Sequence, residues 1–234
     1  MIRWEHAPGP YEVVFSTREG GVSEGPFASL NLGRATADEP DRVDENRRRL
    51  CNEVGADPDA LTMNYQHHST DVLRARAGSR GERGDGLWTD ERGLPMLALA
   101  ADCLPLALAR ANGGTPALAV LHAGWRGLLG GIASSGVAAL GGGLVSAIVG
   151  PGIGPCCYEV GEEVAAPFRR AFGLGLVREG KLDLWSAAER ALRAAGCVRV
   201  DRVDLCTACT PERFFSHRRD NGITGRQGVL GVIG

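Results

Sequence analysis

The sequence of 234 residues has little of what directs a protein to a membrane, a secretory route or nucleic acid. Its longest apolar runs, LPMLALAADCLPLALA and ALGGGLVSAIVGPGIG, are interrupted by Asp, Pro or Gly, so neither provides the roughly 20 apolar residues of a membrane span. The first residues lack the basic and apolar stretches of a signal peptide. The net charge is −2, and NRRRL is the longest basic run. We therefore predict a cytoplasmic protein with no membrane or nucleic-acid partner.

Histidine is scarce, with five residues, and the seven cysteines are an odd number. Without a secretory signal, such a count does not indicate a disulfide framework, and we predict free or metal-bound thiols. The chain is 44% hydrophobic and 23% charged, which is an ordinary balance for a globular protein with a sizeable core.

Hydrophobic periodicity predicts strands and helices that alternate along the chain. The predicted strands are residues 11–16, 60–75, two short buried strands within 93–110, the start of 116–140, 143–154 and 198–206. The predicted helices are residues 38–55, the part of 116–140 that begins near Trp125, 161–172 and 183–196, with Asp183 as N-cap and Gly196 as the closing glycine. No linker or repeat divides the chain, so we predict one α/β domain over residues 1–234.

Polar residues interrupt the apolar strands in three places. Asp102 and Cys103 follow an apolar run, His122 ends ALAVL, and the pair His67 and His68 interrupts MNYQHHSTDV. Burying such groups costs several kcal/mol unless they are paired or bind a metal. Imidazole and thiolate are ligands that zinc prefers, and three protein ligands leave a position open for catalysis. A metal-free alternative uses Cys103 as a nucleophile that His122 activates, and the third possibility is that these are ordinary core residues.

Two further motifs carry less information about a site. CTAC, residues 206–209, is a single CxxC without a second pair at regular spacing, and the adjacent CC at 156–157 does not supply one. The C-terminal FFSHRRDNGITGRQ contains Arg218 and Arg226 directly after two aromatic residues, which predicts a docked segment. Arg126 stands at a predicted helix N-terminus. Guanidinium groups in such positions suit phosphate or carboxylate ligands.

These segments together resemble the YfiH family, also described as multicopper polyphenol oxidase or laccase-like. The resemblance spans nearly the whole chain and lies in these motifs: FSTREGGVSEGPFASLNLG, VDENRRRL, QHHS, ADCLPL, HAGWRG, GPGIGPCCYEVG and FFSHRRDNGITGRQ. It implies an α/β fold of the α+β type, with mixed β-sheets flanked by helices, similar to the fold of cysteine-dependent deamidase toxins. It also implies that Cys157 and Cys206 are not metal ligands. RRDNGITGR has one residue more than the motif between Asp and Gly, which leaves the role of Asp220 open.

The resemblance further implies a zinc site and a purine nucleoside enzyme. The implied ligands are His68, Cys103 and His122. The implied reactions are phosphorolysis of adenosine, inosine, guanosine and methylthioadenosine, and deamination of adenosine. In an extended segment, neighbours point to opposite faces, so alternation allows only one of the two adjacent histidines as ligand. The family motif Gln-x-His-Ser assigns that role to His68 and leaves His67 at a variable position.

From these roles we predict the other site residues. Cys103 and His122 are predicted to be catalytic, and Asp102, adjacent to Cys103, is the predicted proton carrier or, alternatively, a residue that only orients a ligand. Four arginines are predicted to hold inorganic phosphate, and two amides to bind the base or sugar: Arg48, Arg126, Arg218 and Arg226, with Asn31 and Gln66. A multicopper oxidase needs many more histidines than five, so we interpret copper as an adventitious occupant.

Two other classes of protein remain open at this point. One is a metal-independent cysteine hydrolase that corrects a misincorporated amino acid in a peptidoglycan precursor, a role also attached to the family. The other is a non-enzymatic module with a structural metal, for which a fourth protein ligand would be needed. The sequence shows no clear candidate for that ligand, and His217 is the best of those available.

Overall fold

Two six-stranded sheets form the centre of the protein, as seen in a computed structural model that describes residues 1–111 and 114–234. Within these residues the strands are β1 (Ile2–Arg3), β2 (Tyr11–Phe15), β3 (Thr62–Tyr65), β4 (Val72–Arg74), β5 (Arg80–Arg83), β6 (Gly86–Thr89), β7 (Met96–Ala100), β8 (Leu104–Arg110), β9 (Leu118–Ala123), β10 (Val145–Val149), β11 (Val177–Arg178), β12 (Lys181–Leu182), β13 (Cys197–Arg202) and β14 (Gln227–Ile233). The α-helices are α1 (Pro40–Glu53), α2 (Trp125–Gly130), α3 (Ile132–Ala139), α4 (Glu162–Phe172) and α5 (Leu184–Ala194), and short 3-10 helices cover Gly25–Phe27 and Leu174–Leu176.

Both large sheets are mixed. The first has the order β1-β2-β14-β7-β3-β5, antiparallel from β1 to β7 and parallel from β7 to β5. The second has the order β13-β10-β8-β9-β6-β4, with parallel pairs at its two ends. The strands β11 and β12 form a separate small hairpin. The predicted single α/β domain with mixed sheets is therefore confirmed.

Side-chain alternation along the strands explains why the sheets pack face to face. Phe15 of β2 and Val120 of β9 belong to one apolar cluster, which lies between the two sheets. Val14, the neighbour of Phe15, belongs to a second cluster with Leu50 of α1. Leu121, the neighbour of Val120, belongs to a third cluster, which includes residues of helices α2, α3, α4 and α5. Since successive strand residues point to opposite faces, the order of layers is α1, first sheet, second sheet, remaining helices.

The helix signals in the sequence correspond to real caps. The carboxylate of Asp183 accepts a hydrogen bond from the backbone N–H of Ser186 at 2.9 Å, and Gly196 follows α5 with a left-handed φ of 101°. Both predictions for this helix are confirmed. The helix predicted to begin near Trp125 is divided into α2 and α3 at Gly131, whose φ of 98° interrupts it.

The stretch predicted as one strand over residues 60–75 is two strands, β3 and β4, which belong to different sheets. The histidine pair lies in the loop between them, where His68 has a left-handed φ of 64°. The strand prediction was therefore wrong in the middle of this stretch, because an extended strand cannot contain this backbone conformation. No helix among the described residues is long and apolar enough to cross a membrane.

Candidate metal centre and active-site cavity

Three side chains that are distant in sequence meet at one end of the layer between the sheets. His68 comes from the loop between β3 and β4, Cys103 from the turn between β7 and β8, and His122 from β9. Their ligand atoms all lie within 4.8 Å of one another, and His68 Nε2 is 3.8 Å from Cys103 Sγ. His122 is two residues after Val120 on β9, so the two side chains point to the same face of the sheet. His122 therefore points into the space between the two sheets, at the end of the apolar cluster that contains Val120.

The backbone around these groups is unusual at two positions. His68 has a φ of 64°, and Asp102, which precedes Cys103, has a φ of 85°. Non-glycine residues in this region cost about 1–3 kcal/mol each, so the surrounding contacts must impose the conformation. Space is equally restricted at Gly124, where an added Cβ would lie 2.8 Å from His68 Cδ2 and 3.0 Å from Cys103 Sγ. The glycine of HAGWRG therefore gives the two ligands room to approach.

A buried carboxylate that the sequence analysis did not single out holds this arrangement. Asp85 Oδ1 accepts hydrogen bonds from His122 Nδ1 at 2.8 Å and from the His68 backbone N–H at 3.0 Å. Its Oδ2 accepts from the backbone N–H of His67 at 3.1 Å and from the N–H and hydroxyl of Ser69 at 2.6 and 2.8 Å. Asp85 lies between two glycines in GDG, a pattern typical of a turn, so only its tertiary contacts reveal its role.

The charges of these groups depend on one another. Burial raises the pKa of Asp85, but hydrogen bonds from His122 and Ser69 outweigh burial and hold it well below its usual range. Burial likewise raises the pKa of the Cys103 thiol, yet His122 and His68 outweigh this and bring it to about 6. Burial lowers the pKa of His122, whereas Cys103 and Asp85 together raise it to about 9. Without a metal, these contacts therefore favour a thiolate at Cys103 paired with an imidazolium at His122.

The donor set fits a zinc ion. Asp85 occupies His122 Nδ1, which leaves Nε2 for a metal, as in the carboxylate–histidine–zinc arrangement. Zinc bonds of about 2.0–2.1 Å to nitrogen and about 2.3 Å to sulfur place two tetrahedral ligands about 3.6 Å apart. The 3.8 Å separation of His68 Nε2 and Cys103 Sγ is close to that distance. Three protein ligands beside an open cavity correspond to a catalytic rather than a structural site.

A cavity of about 700 Å³ opens over the three ligands. This volume is typical of pockets for small molecules. Its wall includes Tyr65, Leu99 and Tyr158, and burial raises the pKa of the Tyr158 hydroxyl to about 12. Five arginines line it: Arg34, Arg47, Arg80, Arg218 and Arg226. Among the described lining residues Asp102 is the only carboxylate, so the cavity suits an anionic ligand.

Asp102 lines this cavity but has both carboxylate oxygens engaged. Oδ1 accepts a hydrogen bond from the Thr207 hydroxyl at 2.6 Å, and Oδ2 accepts from the Arg218 backbone N–H at 2.7 Å. The side chain therefore links the Cys103 turn to the C-terminal segment. Arg218 donates a hydrogen bond to the Glu159 carbonyl at 3.0 Å, and its guanidinium carbon lies 5.4 Å from the centroid of the Tyr158 ring. The predicted docking of this segment is thus seen in the structure.

The two predicted amides pair with protein groups. Gln66 lines the cavity, but its amide donates to the Leu99 carbonyl and accepts from the Leu99 N–H, at 2.8 and 2.7 Å. Asn31 is fully buried behind the wall, where its Oδ1 accepts from the backbone N–H of Gly33 and of Arg226. Its Nδ2 donates to Thr36 and Asp38. Both amides therefore position the wall, and direct contact with a ligand stays a prediction.

The predicted arginines divide into two groups. Arg218 and Arg226 line the cavity, and Arg226 is partly buried close to Asp102 and Cys103, whose charges act on it. Arg48 lies on the exposed face of α1 and pairs with Glu45 at 2.7 Å. Because successive helix residues are rotated by about 100°, its neighbour is the one that reaches the wall.

That neighbour, Arg47, is buried and donates two hydrogen bonds to the Leu32 carbonyl. A run of three arginines gives no helical phase by itself, so the sequence alone does not distinguish Arg47 from Arg48. Arg126 is exposed at the start of α2, with its guanidinium carbon 4.2 Å from the centroid of the Trp125 ring, and it does not line the cavity.

The site is a cationic cavity beside a His-His-Cys set that could hold a metal ion, and comparisons with known proteins agree on the family. The family described as "Multi-copper polyphenol oxidoreductase laccase" matches residues 12–233. "Purine nucleoside phosphorylase" of Deinococcus radiodurans is 42% identical, with 94% of this chain and 88% of the relative covered. "Purine nucleoside phosphorylase YfiH" of Escherichia coli is 36% identical, over 90% of this chain and 89% of the relative.

Solved structures show the same likeness. YlmD from Geobacillus stearothermophilus has a TM-score of 0.89 at 32% identity, covering 97% of this chain and 93% of that chain. YfiH from Bacillus licheniformis has a TM-score of 0.84 at 28% identity, covering 99% of both chains. The chain therefore belongs to the YfiH family, and the resemblance identified from its motifs is confirmed.

Proposed function

We propose that this protein is a zinc-dependent purine nucleoside phosphorylase of cytoplasmic location. The observation that carries the proposal is the shared cavity, in which the His-His-Cys set and five arginines face the same space. Phosphorolysis needs a cationic place for inorganic phosphate beside the nucleoside, and relatives of this chain are described as purine nucleoside phosphorylases. In the reaction, phosphate attacks C1′ of the ribose, the glycosidic bond breaks, and the products are ribose 1-phosphate and the free base.

His68, Cys103 and His122 would hold the zinc ion. When bound, the ion supplies Lewis-acid polarisation at the open side of the site. Asp85 fixes His122 with Nε2 directed at the metal position, since its carboxylate already binds Nδ1. Its bonds to three successive backbone N–H groups hold the loop that carries His68. The chain thus supplies a ligand set arranged before substrate arrives.

Arg218 and Arg226 are the arginines that we assign to phosphate. Both lie beside the Asp102–Cys103 turn. The backbone N–H of Arg218 donates to Asp102, and the guanidinium of Arg226 is close enough to Asp102 and Cys103 to interact with their charges. Arg226→Met should raise KM for phosphate by at least about tenfold, since a charged hydrogen bond contributes about 1.5–3 kcal/mol. Arg48→Met is the matched control, because Arg48 pairs with Glu45 outside the cavity. Equal phosphate KM values in the two variants would contradict the assignment.

The finer activities belong to the same proposal. The substrates for phosphorolysis are adenosine, inosine, guanosine and methylthioadenosine. Adenosine is also deaminated: water attacks C6, the amino group leaves as ammonia, and inosine is formed. We assign Asp102 the role of orienting the Cys103 turn, because both of its oxygens accept hydrogen bonds from the protein. The chain has five histidines, two of them in this site, which supports zinc over a multicopper oxidase and leaves copper as an adventitious occupant.

Zinc-loaded protein and phosphate, incubated with each nucleoside, test the proposal. We expect the free base together with ribose 1-phosphate, or with 5-methylthioribose 1-phosphate when methylthioadenosine is the substrate. Without phosphate, adenosine should give inosine and ammonia. Cys103→Ala should abolish both reactions, whereas Cys197→Ala, which removes a buried thiol at the start of β13, should retain them. Full turnover in Cys103→Ala would refute the metal centre as the site of reaction, and loss in both variants together with retained folding would point to a different site.

A second function is favoured by the contact between Asp85 and His122. Together with Cys103 they have the relation of nucleophile, base and orienting carboxylate that cysteine hydrolases use. Without a metal, this candidate would hydrolyse an amide bond, such as the one that holds a misincorporated amino acid in a peptidoglycan precursor. Removing zinc with a chelator separates the two candidates, since the hydrolase keeps its activity and the phosphorylase loses it.

A further inference from the structure

A second cluster of thiols lies outside the cavity. Cys156 and Cys157 belong to the loop after β10, and Cys206 and Cys209 to the loop after β13. The two motifs do not form regularly spaced pairs in the sequence, but β10 and β13 are parallel neighbours. Their loops therefore leave the sheet at the same edge, where Gly152 and Cys206 form a parallel bridge. The fold supplies the second pair of thiols that the sequence spacing did not show.

The four sulfur atoms are arranged around one point. All lie within 4.8 Å of one another, and Cys209 Sγ is 3.3 Å from Cys156 Sγ and 3.2 Å from Cys157 Sγ. Zinc–sulfur bonds of about 2.3 Å in a tetrahedron separate the sulfur atoms by about 3.8 Å. The two Cys209 contacts are shorter than this value, and no sulfur–sulfur separation in the cluster exceeds 4.8 Å. We propose that Cys156, Cys157, Cys206 and Cys209 bind a structural zinc ion, separate from the metal centre of the cavity.

Local hydrogen bonding supports thiolate ligands here. The Gly154 backbone N–H donates to Cys206 Sγ at 3.2 Å. A backbone N–H that donates to sulfur favours the thiolate, which is the form of cysteine that binds zinc.

The position of the cluster indicates what such an ion would stabilise. Thr207, between two of the ligands, donates its hydroxyl hydrogen to Asp102, the residue before Cys103. Ile153 and Tyr158, which flank the other two ligands in sequence, line the cavity. Four protein ligands leave no open position, so the ion would fasten two loops behind the cavity wall and take no part in the chemistry. This assignment departs from the expectation that Cys157 and Cys206 are not ligands.

Metal content per chain tests the proposal. Protein prepared with zinc under reducing conditions and then freed of loosely bound metal should contain about two zinc ions, with Cys209→Ser and Cys103→Ser each containing about one. The double variant should contain almost none, and Cys197→Ala should match the unmodified protein. Zinc content in Cys209→Ser equal to that of the unmodified protein would overturn the proposal, whatever the total in the unmodified protein. Failure of the cavity site would instead appear as unchanged zinc in Cys103→Ser.

Cobalt substitution gives a readout that is independent of activity and of total metal. In Cys103→Ser, cobalt at the second site should give the intense near-ultraviolet charge-transfer absorption of a four-thiolate complex. Adding Cys209→Ser or Cys156→Ser should reduce this absorption in proportion to the lost sulfur ligand or abolish it, in protein whose circular dichroism shows it to be folded. Absence of the band in folded, reduced Cys103→Ser loaded with cobalt would refute the assignment.

Discussion

Replacement of Asp85 by Asn changes one buried atom at the centre of the site. The carboxylate accepts five hydrogen bonds, two at Oδ1 and three at Oδ2. An amide has the same shape but only one acceptor oxygen, and its NH₂ group cannot accept from any of these donors. Keeping the three bonds at Oδ2 requires the NH₂ group to face His122 Nδ1. His122 must then present Nδ1 as an acceptor and carry its proton on Nε2, where it blocks the metal.

The size of the effect follows from the bonds lost. The two bonds at Oδ1 are each worth about 1.5–3 kcal/mol, so unfolding should become easier by about 3 kcal/mol or more. That is less than the total stability of about 5–15 kcal/mol of a typical protein, and the variant should fold. Loss of a carboxylate behind a histidine ligand typically lowers metal affinity about 10–100-fold, which corresponds to about 1.4–2.7 kcal/mol.

Two measurements separate these effects. Zinc affinity is measured by competition with a chromophoric chelator of known affinity at one pH, with Cys209→Ser as background so that only the cavity site is titrated. Stability is measured by urea unfolding with the metal removed, so that ligand binding does not contribute. We expect Asp85→Asn to weaken zinc binding and to lower the free energy of unfolding in the same background.

Asp71→Asn is the matched control. Asp71 is an exposed carboxylate in the same loop region, and its side chain faces solvent rather than the metal ligands. Asp71→Asn makes the same change from carboxylate to amide but removes no hydrogen bond to His122. If Asp85→Asn retained zinc as tightly as Asp71→Asn, the carboxylate would not orient the ligand, and the inference from the 2.8 Å contact would be wrong.

Three further predictions concern the same centre. His68→Ala should lose zinc, whereas His67→Ala should retain it, because His67 contacts Asp85 chiefly through its backbone N–H, which the substitution keeps. Metal content measures both, and equal zinc content in the two variants would contradict the ligand assignment. Gly124→Ala should weaken zinc binding at least about tenfold by forcing its Cβ against His68 and Cys103, and Gly175→Ala, with its nearest neighbour at 3.9 Å, is the control. Zinc affinity should rise with pH until about pH 9, because His122 must lose its proton to bind the metal and Cys103 and Asp85 raise its pKa to about 9. An affinity independent of pH would refute the ion pair.

Much of the fold is readable from local pattern. Period-two runs such as residues 11–16 and 198–206 predict strands that the structure contains, and the cap residues of α5 are visible as Asp183 and Gly196. The errors occur where tertiary contacts decide the backbone. His68 has a left-handed φ because Asp85 binds three consecutive N–H groups around it, and no local preference of MNYQHHSTDV encodes that contact.

The site shows a similar division between ligands and their support. Cys103 and His122 are conspicuous because a polar residue in an apolar strand needs a partner, and the structure brings both to one cavity with His68. Asp85 is inconspicuous, since an aspartate between two glycines is ordinary in a turn. Arg47 and Arg48 are indistinguishable in a run of arginines until the orientation of α1 on the first sheet is known.

The location of the cavity follows from the arrangement of the two sheets. Along β9, Leu118 and Val120 fill the space between the sheets, and His122 is the next residue on that face. At the same end, β7 finishes at Ala100, and the chain turns through Asp102 into β8, which belongs to the other sheet. The turn spans the gap between the sheets at the end where the apolar layer gives way to His122, and the cavity over the three ligands lies there. The residues that line it include this turn and the end of β9, which is where the chain places the polar groups of the site.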